Sequence, residues 1–361
     1  MQDKIGVDMA QGAANAPALG HGQPRQQGGP QVSGQPERRQ GARHTYGAID
    51  LGTNTCRLLV ARPVDGSFTV VDAFSRVVRL GEGLSQSGRL SDEAMDRAVG
   101  ALAICGDKLR RRNVSISRSV ATEACRRAEN GREFIERVAQ ETGILLDIIP
   151  PQEEARLAVL GCHKLLEPGD GPALIFDIGG GSTELVLVDQ VDGVPKIRSW
   201  WSAPWGVVSL TESEGSEMIG GGDRVAAYKR MRERVRRAFA RFAEMLPADR
   251  EGIRLLGTSG TVTTLASVYL ALPSYDRRAV DGLHVPTEAM QKISQTISEM
   301  DPAERATLPC IGRERADLVV AGCAILEAIV EIWPAKNLGV ADRGIREGIL
   351  RSLMARDGYA L

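Results

Sequence analysis

Two short segments of the sequence carry an aspartate, a run of small residues and a second charged residue at matching positions. The first reads Asp50-Leu-Gly-Thr-Asn-Thr-Cys-Arg57, and the second reads Asp177-Ile-Gly-Gly-Gly-Ser-Thr-Glu184. In each segment the aspartate follows an apolar run, a glycine comes two residues later, and the charged side chain comes seven residues later. Because glycine has no Cβ, the backbone N–H groups of such a turn can converge on phosphate oxygens. The pattern therefore predicts two phosphate-binding turns.

Side chains within the two turns suit a phosphate group and a hard cation. The residues predicted to bind phosphate here are Gly52, Thr53, Asn54, Arg57, Gly179, Gly180, Gly181 and Ser182. Asp50 and Asp177, at the strand ends, would face a shared metal ion or water, and Glu184 could hold Mg²⁺ through water. Arg57 could neutralise phosphate charge with two parallel hydrogen bonds. The three acids are therefore the predicted metal ligands, and Mg²⁺ is the predicted cofactor.

A third glycine-containing loop follows a later apolar run. It reads Gly257-Thr-Ser-Gly-Thr261, and we predict that Gly257, Ser259, Gly260 and Thr261 also bind phosphate. Each turn alone is equally well explained as a tight β-hairpin, but three such segments in one chain favour phosphate binding. The sequence has neither a G-x-x-x-x-G-K-[ST] loop nor a G-x-G-x-x-G turn between strand and helix, so mononucleotide binding by those routes is unsupported.

The first two turns lie within a repeated strand–turn–strand unit. Residues 46–62 and 173–189 each contain an apolar run, the turn and a second apolar run, and the two aspartates are 127 positions apart (177 − 50). Two copies of one hairpin predict a duplicated lobe with a cleft between the copies. The expected fold is α/β, with an N-terminal lobe over residues 45–168 and a C-terminal lobe over 169–342. A helix at 343–356 is a candidate to complete the N-terminal lobe.

Elements between these motifs are predicted from periodicity and end signals. A turn at Asp65-Gly66 predicts that strand 68–73 forms a hairpin with strand 56–60, and 74–80 is a candidate third strand. Ser91 is predicted to cap a helix, and Pro150-Pro151 to precede the helix that carries Glu153 and Glu154. Further predicted helices cover 132–141, 223–246, 286–299, 313–332 and 343–355, and further predicted strands cover 114–122, 145–149, 253–256 and 337–340.

The composition is that of a soluble globular protein. Hydrophobic residues make up 43% of the chain and charged residues 25%, and the net charge of −1 argues against nucleic-acid binding driven by bulk charge. No apolar stretch approaches the roughly 20 residues needed to span a bilayer, and no secretory signal is apparent, so a cytoplasmic location is expected. Residues 1–44, rich in Gln, Gly and Pro, are expected to form a disordered tail.

Cysteine and histidine residues give no sign of a transition-metal site. The six cysteines lie far apart without a C-x-x-C pair, and the four histidines lack the spacing of metal ligands. We expect the cysteines to be buried free thiols. Any metal ion should therefore bind to carboxylates and phosphate oxygens, which again indicates Mg²⁺.

Several segments resemble motifs of the exopolyphosphatase/guanosine pentaphosphate phosphatase (Ppx/GppA) family. The two turns, within Ala48–Leu58 and Phe176–Leu185, are similar to its two phosphate motifs. The segments 121–130, 152–157, 257–265, 313–322 and 341–348 also follow the order of the family, so the resemblance covers roughly residues 45–356. It implies the duplicated ribonuclease H-like, two-lobed fold of the superfamily of actin, Hsp70 and the acetate and sugar kinases, with an interlobe cleft.

The resemblance also implies roles for individual residues. Glu154 matches the general base that activates the attacking water, with Glu153 as its rival. Arg57 and Arg126 match basic residues that line the substrate channel, and Arg315 aligns with an arginine that bears on substrate choice. The implied reaction is Mg²⁺-assisted hydrolysis that releases terminal orthophosphate from inorganic polyphosphate, from guanosine pentaphosphate, or from both.

Two other functions stay open at this point. A small-molecule kinase of the same superfamily would share the turns, and a non-catalytic sensor would bind a guanosine alarmone or ATP. Asp177 and Glu184 match the metal- and phosphate-positioning acids of the family, and their presence beside Asp50 and Glu154 favours a hydrolase. The expected partners are the phosphate substrate and, as a candidate, a second copy of the chain; neither nucleic acid nor membrane is expected. From the length of the sequence we expect the additional C-terminal helical domains of longer family members to be lacking, which would favour short polyphosphates or the nucleotide as substrates.

Overall fold

A computed structural model of the chain describes residues 44–169, 171–191, 194–214, 223–244 and 252–360. The predicted disordered tail, up to residue 43, lies outside the described residues. The described strands form two sheets, one of five strands and one of six.

The N-terminal half of the chain contains the first sheet. Its elements are β1 (Tyr46–Leu51), β2 (Thr55–Val64), β3 (Ser67–Val77), α1 (Leu84–Ser87), α2 (Asp92–Arg111), β4 (Ile116–Ala121), α3 (Glu123–Arg127), α4 (Gly131–Thr142) and β5 (Leu146–Ile148). The strand order is β3-β2-β1-β4-β5, with the first three strands antiparallel and β4 and β5 joined to β1 in parallel. Helix α5 (Pro151–Cys162) and a short 3-10 helix (His163–Leu165) lead to the second half.

The C-terminal half contains the second sheet. Its elements are β6 (Ala173–Ile178), β7 (Thr183–Val191), β8 (Val194–Ala203), α6 (Val207–Glu214), α7 (Arg224–Glu244), β9 (Arg254–Thr258), α8 (Gly260–Tyr269), α9 (Arg277–Val280), β10 (His284–Pro286), α10 (Thr287–Glu299), α11 (Pro302–Thr307), α12 (Val319–Ile332), β11 (Asn337–Ala341) and α13 (Ile345–Arg356). The strand order is β8-β7-β6-β9-β11-β10.

The two sheets repeat one topology. In both, three antiparallel strands are followed by two strands that lie parallel to the first, and helices connect them. The second sheet adds one edge strand, β10, antiparallel to β11. The predicted duplicated, two-lobed α/β fold is thereby confirmed.

In each turn, the aspartate and the charged residue seven positions later are paired across the two strands of the hairpin. Asp50 on β1 lies directly opposite Arg57 on β2, and Asp177 on β6 lies directly opposite Glu184 on β7. Residues that face each other across antiparallel strands point to the same side of the sheet, with Cβ atoms about 5 Å apart. Each turn therefore presents its aspartate and its second charge together at one end of a sheet.

End signals in the sequence account for several helix boundaries. The Oγ of Ser91 accepts a hydrogen bond from Ala94 N at 3.2 Å and caps α2, as predicted. Helix α4 ends at Gly143, whose φ of 72° is the left-handed conformation that glycine adopts without strain. Helix α5 begins directly after Pro150, with Pro151 in its first turn, where a missing N–H costs nothing.

The structure corrects several predicted elements. Strand β3 runs without a break from Ser67 to Val77, so the candidate third strand at 74–80 is largely the end of β3. The helix predicted over 313–332 begins only at Val319, because residues 313–318 form turns after Gly312, whose φ is 66°. Strand β8 and helix α8 were not predicted. The β-branched residues of α8 favour strand by propensity, and its burial in the second lobe overrides that preference.

Helices α5 and α13 lie between the two sheets. Helix α5 follows the first sheet in sequence and packs on the second, and α13 follows the second sheet and packs on the first. Leu350 and Leu353 of α13 pack with Tyr46 and Leu59 of the first sheet. On α5, Ala155 and Val159 pack with residues of the second sheet. The two helices also touch closely, since a Cβ added to Gly348 would lie 2.0 Å from the carbonyl oxygen of Leu157. Glycine is therefore required where they cross.

No helix among the described residues is both long and apolar enough to span a membrane. The prediction of free thiols is confirmed: all six cysteines are unpaired, and all but Cys310 are buried.

Candidate active site

A cleft between the two sheets collects the predicted phosphate-binding segments. Its volume is about 970 Å³, including its open mouth. The residues that line it and that the sequence had indicated are Asp50, Gly52, Thr53, Asn54, Arg57, Glu154, Asp177, Gly179, Gly180, Gly181, Ser182, Glu184, Ser259, Gly260, Thr261 and Arg315. Both turns, the third loop and the start of α5 thus meet around one space.

The two turns share one backbone geometry. Gly52 N donates a hydrogen bond to Thr55 O at 3.0 Å, and Gly179 N donates to Ser182 O at 2.9 Å, so both turns close over the same number of residues. In the second turn, the carbonyl oxygens of Gly179 and Gly180 accept hydrogen bonds from the first N–H groups of α6, Val207 and Val208. Because a trans peptide holds its C=O and N–H in opposite directions, the N–H groups of Gly180 and Gly181 point away from α6.

Glycine in the second turn is required by close contact between the turns. A Cβ on Gly180 would lie 2.9 Å from Thr53 Cβ, and a Cβ on Gly181 would lie 2.8 Å from Thr53 Oγ1. Gly206 lies as close on the other side, with its added Cβ 2.4 Å from the carbonyl carbon of Gly180. A side chain on Gly180 or Gly181 would push the two lobes apart, and one on Gly206 would push the start of α6 away from the second turn.

Five carboxylates line the cleft, and burial governs the protonation of four of them, Asp50, Glu154, Asp177 and Glu184. Burial raises the pKa of Asp177 to about 6, with Arg57 opposing the shift. Burial also raises the pKa of Glu184 to about 7, and Asp177 reinforces the shift. The pKa of Asp50 is raised by burial as well, and Arg57 opposes it. For Glu154, burial and then the negative charge of Glu184 hold the pKa well above its usual range.

Hydrogen bonds fix two of these acids in place. Glu184 is 1% exposed, and its Oε1 accepts from Ser182 Oγ at 2.7 Å and from Ser202 Oγ at 2.9 Å. Glu154 is 6% exposed, and its Oε2 accepts from Arg126 Nη1 at 3.1 Å. Both side chains are therefore oriented by hydrogen bonds before any ligand binds.

Glu153, the alternative base, lies outside the cleft. Its carboxylate accepts hydrogen bonds from Arg118 Nη1 and from Arg156 Nε, both at 2.7 Å. The hydrogen bonds from Arg156, supported by those from Arg118, lower the pKa of Glu153. A carboxylate held by two guanidinium groups is a poor base, so the geometry favours Glu154.

Two arginines supply positive charge to the cleft. Arg57 forms no hydrogen bond or ion pair with any described residue, which leaves its guanidinium available to a ligand. Arg315 donates from Nη1 to Thr264 Oγ1 at 3.0 Å. Gly260 lies between them, because its added Cβ would be 3.8 Å from Arg57 Nη2 and 4.0 Å from Arg315 Cζ. The third loop therefore brings both guanidinium groups to one side of the cleft.

Ser259 in the third loop has a strained backbone. Its φ of 115° and ψ of 173° belong to a region that is almost exclusive to glycine. Its Oγ is buried and has no hydrogen-bond partner within the described ranges, and the same holds for Asn54 Oδ1 and Asp50 Oδ1. Buried polar atoms without partners are rare, and three around one cleft indicate a polar ligand.

Two predicted phosphate ligands, Gly257 and Arg126, do not line the cleft formed by the described residues. Gly257 lies within β9, where an added Cβ would meet Phe176 Cζ at 2.6 Å, so its glycine serves packing. Arg126 donates to Glu123 Oε2, Glu154 Oε2 and Ile149 O. Its guanidinium is thus occupied within the protein and orients the two acids.

Sequence reasoning missed several residues that line the cleft. They are Thr122, Glu123, Ile178, Val207, Thr264, Leu318, Val319 and Ile345. A signal for Thr122 and Glu123 was available, because they directly follow β4. Strand β4 is parallel to β1, and the carboxyl ends of neighbouring parallel strands meet at one edge of the sheet. The apolar members carried no such signal.

The donor set of the cleft fits Mg²⁺ in one particular way. Carboxylate oxygens, such as the unpartnered Asp50 Oδ1, are the ligands that this ion prefers. Yet no three acidic, histidine or cysteine side chains in the described part of the chain converge into a metal cage. Mg²⁺ commonly binds one or two carboxylates and completes its shell with water and substrate phosphate oxygens. The cleft fits that mode.

Comparisons with known proteins match the chain to one family. A model of the Ppx/GppA phosphatase family matches residues 59–357. A putative exopolyphosphatase of Haemophilus influenzae is 29% identical over 310 residues, which cover 85% of this chain and 90% of that protein. The segment matched by the family model includes the second turn, the third loop, α5 and α13.

Solved structures agree with this match. The crystal structure of the Aquifex aeolicus member of the Ppx/GppA family is 31% identical, with a TM-score of 0.70 over 87% of this chain and 99% of that one. An exopolyphosphatase from Cytophaga hutchinsonii is 23% identical, with a TM-score of 0.77 over 87% and 98% of the two chains, and supports the fold alone. The shared fold is that of the actin-like ATPase superfamily. With a family model that matches most of its length, this chain belongs to the Ppx/GppA phosphatase family and is an exopolyphosphatase-like phosphatase.

Proposed function

We propose that the chain hydrolyses the terminal phosphoanhydride bond of inorganic polyphosphate, with Glu154 as the general base. The observation that carries the proposal is the position of Glu154: a buried carboxylate of raised pKa that lines the same cleft as both phosphate turns. A kinase or a sensor has no need of a carboxylate that accepts a proton from water. A raised pKa also brings a carboxylate closer to the ideal for a base that works near neutral pH.

The turns and the two arginines would hold the terminal phosphate. The N–H groups of Gly180 and Gly181 point away from α6 and are available to phosphate oxygens. Arg57 would add charge-assisted hydrogen bonds, and Arg315, reached across Gly260, would add more. These donors stabilise the charge that develops on the phosphoryl group, which supplies most of the catalysis in phosphoryl transfer.

Asp50, Asp177 and Glu184 would hold Mg²⁺ together with the substrate. The ion supplies neutralising charge to the phosphate oxygens. Binding of a cation would also favour the ionised forms of these acids, whose pKa values burial raises.

Arg126 would position the base. Its hydrogen bond to Glu154 Oε2 fixes one carboxylate oxygen, and its bonds to Glu123 hold the guanidinium in place. The other oxygen of Glu154 would accept the proton of the attacking water, while the shortened polyphosphate departs with the bridging oxygen. The opposing charge of Arg126 also limits the rise in the pKa of Glu154.

Guanosine pentaphosphate is the second substrate that we propose. Its terminal phosphate presents the same anhydride bond to the turns. Leu318 and Val319 give the cleft an apolar wall, which a bare phosphate chain does not need and a guanine ring could contact.

Orthophosphate release from polyphosphate and from guanosine pentaphosphate, with Mg²⁺, tests the proposal. We expect Glu154→Gln to lose roughly 10²–10⁴-fold in kcat, the usual contribution of a general base. Glu153→Gln is a matched control on the same helix turn and should stay within a few-fold of wild type. Equal activity of wild type and Glu154→Gln would refute the assignment. Transfer of labelled phosphate from ATP to an added acceptor, without orthophosphate release, would support a kinase.

A further inference from the structure

A second pocket, here called the α5–α13 pocket, lies on the far side of α5 from the cleft. It is lined by Arg156, Leu160 and His163 from α5 and the following turn, and by Arg351, Ser352, Ala355 and Arg356 from α13. Arg156 lies two residues after Glu154, which is about 200° around the helix. The pocket therefore opens on the opposite face of the helix that carries the proposed base.

Arg351 is buried without a hydrogen-bonding partner among the described residues. It is 5% exposed, and its Nε and Nη1 atoms form no hydrogen bond with any residue in the described ranges. Its guanidinium lies over the ring of Phe68 in a cation–π contact, with Cζ 5.6 Å from the ring centroid. A buried charge without a hydrogen-bonding partner is costly, so a site that keeps one commonly serves a ligand.

The expected intrahelical partner of Arg351 is engaged elsewhere. Glu347 lies four residues earlier on α13, at the spacing of an ion pair along a helix. Its carboxylate instead accepts from Gly344 N at 2.9 Å and from Arg277 Nη2 at 2.8 Å. The guanidinium of Arg351 is therefore left to face the pocket without a counter-charge.

Positive charge dominates the lining of the pocket. Arg156, His163, Arg351 and Arg356 contribute basic groups, and no acidic residue of the described chain lines it. Arg356 forms no ion pair within the described ranges. Arg156 donates from Nε and Nη2 to Glu153, whose carboxylate is shared with Arg118, so Arg351 and Arg356 supply the uncompensated charge. Burial lowers the pKa of His163, and Arg351 lowers it further, so the imidazole is mostly neutral near pH 7 and the positive charge of the pocket comes from the arginines.

We propose that the α5–α13 pocket binds an oligophosphate anion. Guanidinium groups bind phosphate through paired hydrogen bonds, and three of them converge here with an imidazole and the Ser352 hydroxyl. The pocket volume of about 780 Å³, including its open mouth, exceeds what one phosphate fills. No phenylalanine, tyrosine or tryptophan ring lines it among the described residues, so the His163 imidazole is its one aromatic surface on which a nucleobase could stack. The ligand would bridge α5 and α13, and its binding does not depend on hydrolysis in the cleft.

Calorimetric titration with tripolyphosphate, in EDTA to prevent hydrolysis, tests the site. We expect the wild type to bind at two sites, one in the cleft and one in the α5–α13 pocket. Arg57→Gln should weaken only the cleft site, and Arg351→Gln should weaken only the pocket site, by about tenfold or more. If the wild type bound tripolyphosphate in the pocket but not in the cleft, the result would count against the proposed function, and the proposal of the pocket site would still stand. Orthophosphate and GTP, titrated in parallel, should bind the pocket more weakly than tripolyphosphate.

A second variant protects the test against misfolding of Arg351→Gln. Arg356→Gln changes an exposed residue of the same pocket and should also weaken the pocket site, several-fold. Arg110→Gln, an exposed change of the same type on α2, should bind as the wild type does. If Arg57→Gln abolished tripolyphosphate binding entirely, the proposal of a second site would be overturned. Unchanged binding at both sites in Arg351→Gln and Arg356→Gln would overturn it too.

Discussion

The two turns of this molecule share a backbone and differ in the charge opposite the aspartate. In the first hairpin Asp50 faces Arg57, and in the second Asp177 faces Glu184, at identical register. The first turn is close to electrically neutral, whereas the second brings together two acids, the buried Glu184 and the partly buried Asp177. At this pair of positions the duplicated scaffold thus sets a guanidinium on one side of the cleft and a second acid on the other, a combination that would suit a metal-bound phosphate.

Helices α5 and α13, which follow β5 and β11, each carry a glutamate in their first turn, and the surroundings of the two glutamates differ. Glu154 in the first turn of α5 faces the cleft, and burial and Glu184 raise its pKa. Glu347 in the first turn of α13 bonds to the backbone of its own helix start and to Arg277. Although burial alone would raise it, Arg346 and Arg277 hold the pKa of Glu347 below its usual value. One acid is available for chemistry and the other is structural.

Making the first hairpin resemble the second should have the largest effect. Arg57→Glu removes a proposed phosphate ligand and adds a further carboxylate beside Asp50, so kcat/KM should fall on the order of 10⁴-fold, from lost donors and like-charge repulsion. Steady-state phosphate release measures this. Arg62→Glu, on the same strand but exposed, is the control and should keep most of the activity. Retained activity in Arg57→Glu would mean that the first turn does not carry the anion-binding role.

Exchanging carboxylate for amide should separate the two helix-start acids. Glu347→Gln should cost about 1–3 kcal/mol of unfolding free energy, since Arg277 would lose a charged partner, and kcat should fall less than about tenfold. Glu154→Gln should show the reverse, with kcat reduced about 10³-fold and stability unchanged or increased. Urea unfolding and kinetics on the same samples test both. A similar loss of kcat in the two variants would contradict the assignment of a catalytic role to Glu154 and a structural role to Glu347.

The acid pair of the second hairpin should make stability depend on pH. The pKa of Glu184 rises from about 4.5 to about 7 on folding, so its stabilising contribution is fully present below about 4.5 and is lost as the pH rises through 7. Without metal, the difference in unfolding free energy between Glu184→Gln and wild type should shift by on the order of 3 kcal/mol between pH 4 and pH 8, in favour of the variant. Added Mg²⁺ should reduce the shift. Parallel pH profiles of the two proteins would contradict the assignment.

The smallest effect should come from adding a single methyl group to each turn. In Gly181→Ala the new Cβ would press on Thr53 and Glu123, at 2.8 and 2.9 Å, so closure of the cleft and kcat/KM should suffer roughly tenfold. In Gly52→Ala the nearest atom is Thr55 O at 3.4 Å, and the loss should stay within a few-fold. Kinetics of the pair decides whether tight packing between the lobes is confined to the second turn.

The sequence predicted the turns and their repeat because those features are local. The spacing from Asp50 to Arg57 sets a register, and a register sets which side chains share a face. It did not predict that Arg126 is held by Glu123, within α3, and by Glu154. The contact with Glu154 joins α3 to α5, which are separate in sequence. Nor did it predict the pocket around Arg351. The burial of that guanidinium depends on how α13 packs between the sheets, which no local pattern encodes.

The packing of α13 on the first sheet has a consequence for how the protein is made. Tyr46 and Leu59 are covered by Leu350 and Leu353, which leave the ribosome almost 300 residues later. At typical rates of about 5–20 residues per second, that face of the sheet waits roughly 15–60 s for its cover. During this interval the nascent chain displays an apolar surface that belongs inside the finished protein. Premature termination before α13 would leave that surface exposed permanently, so truncated products should require chaperones or aggregate.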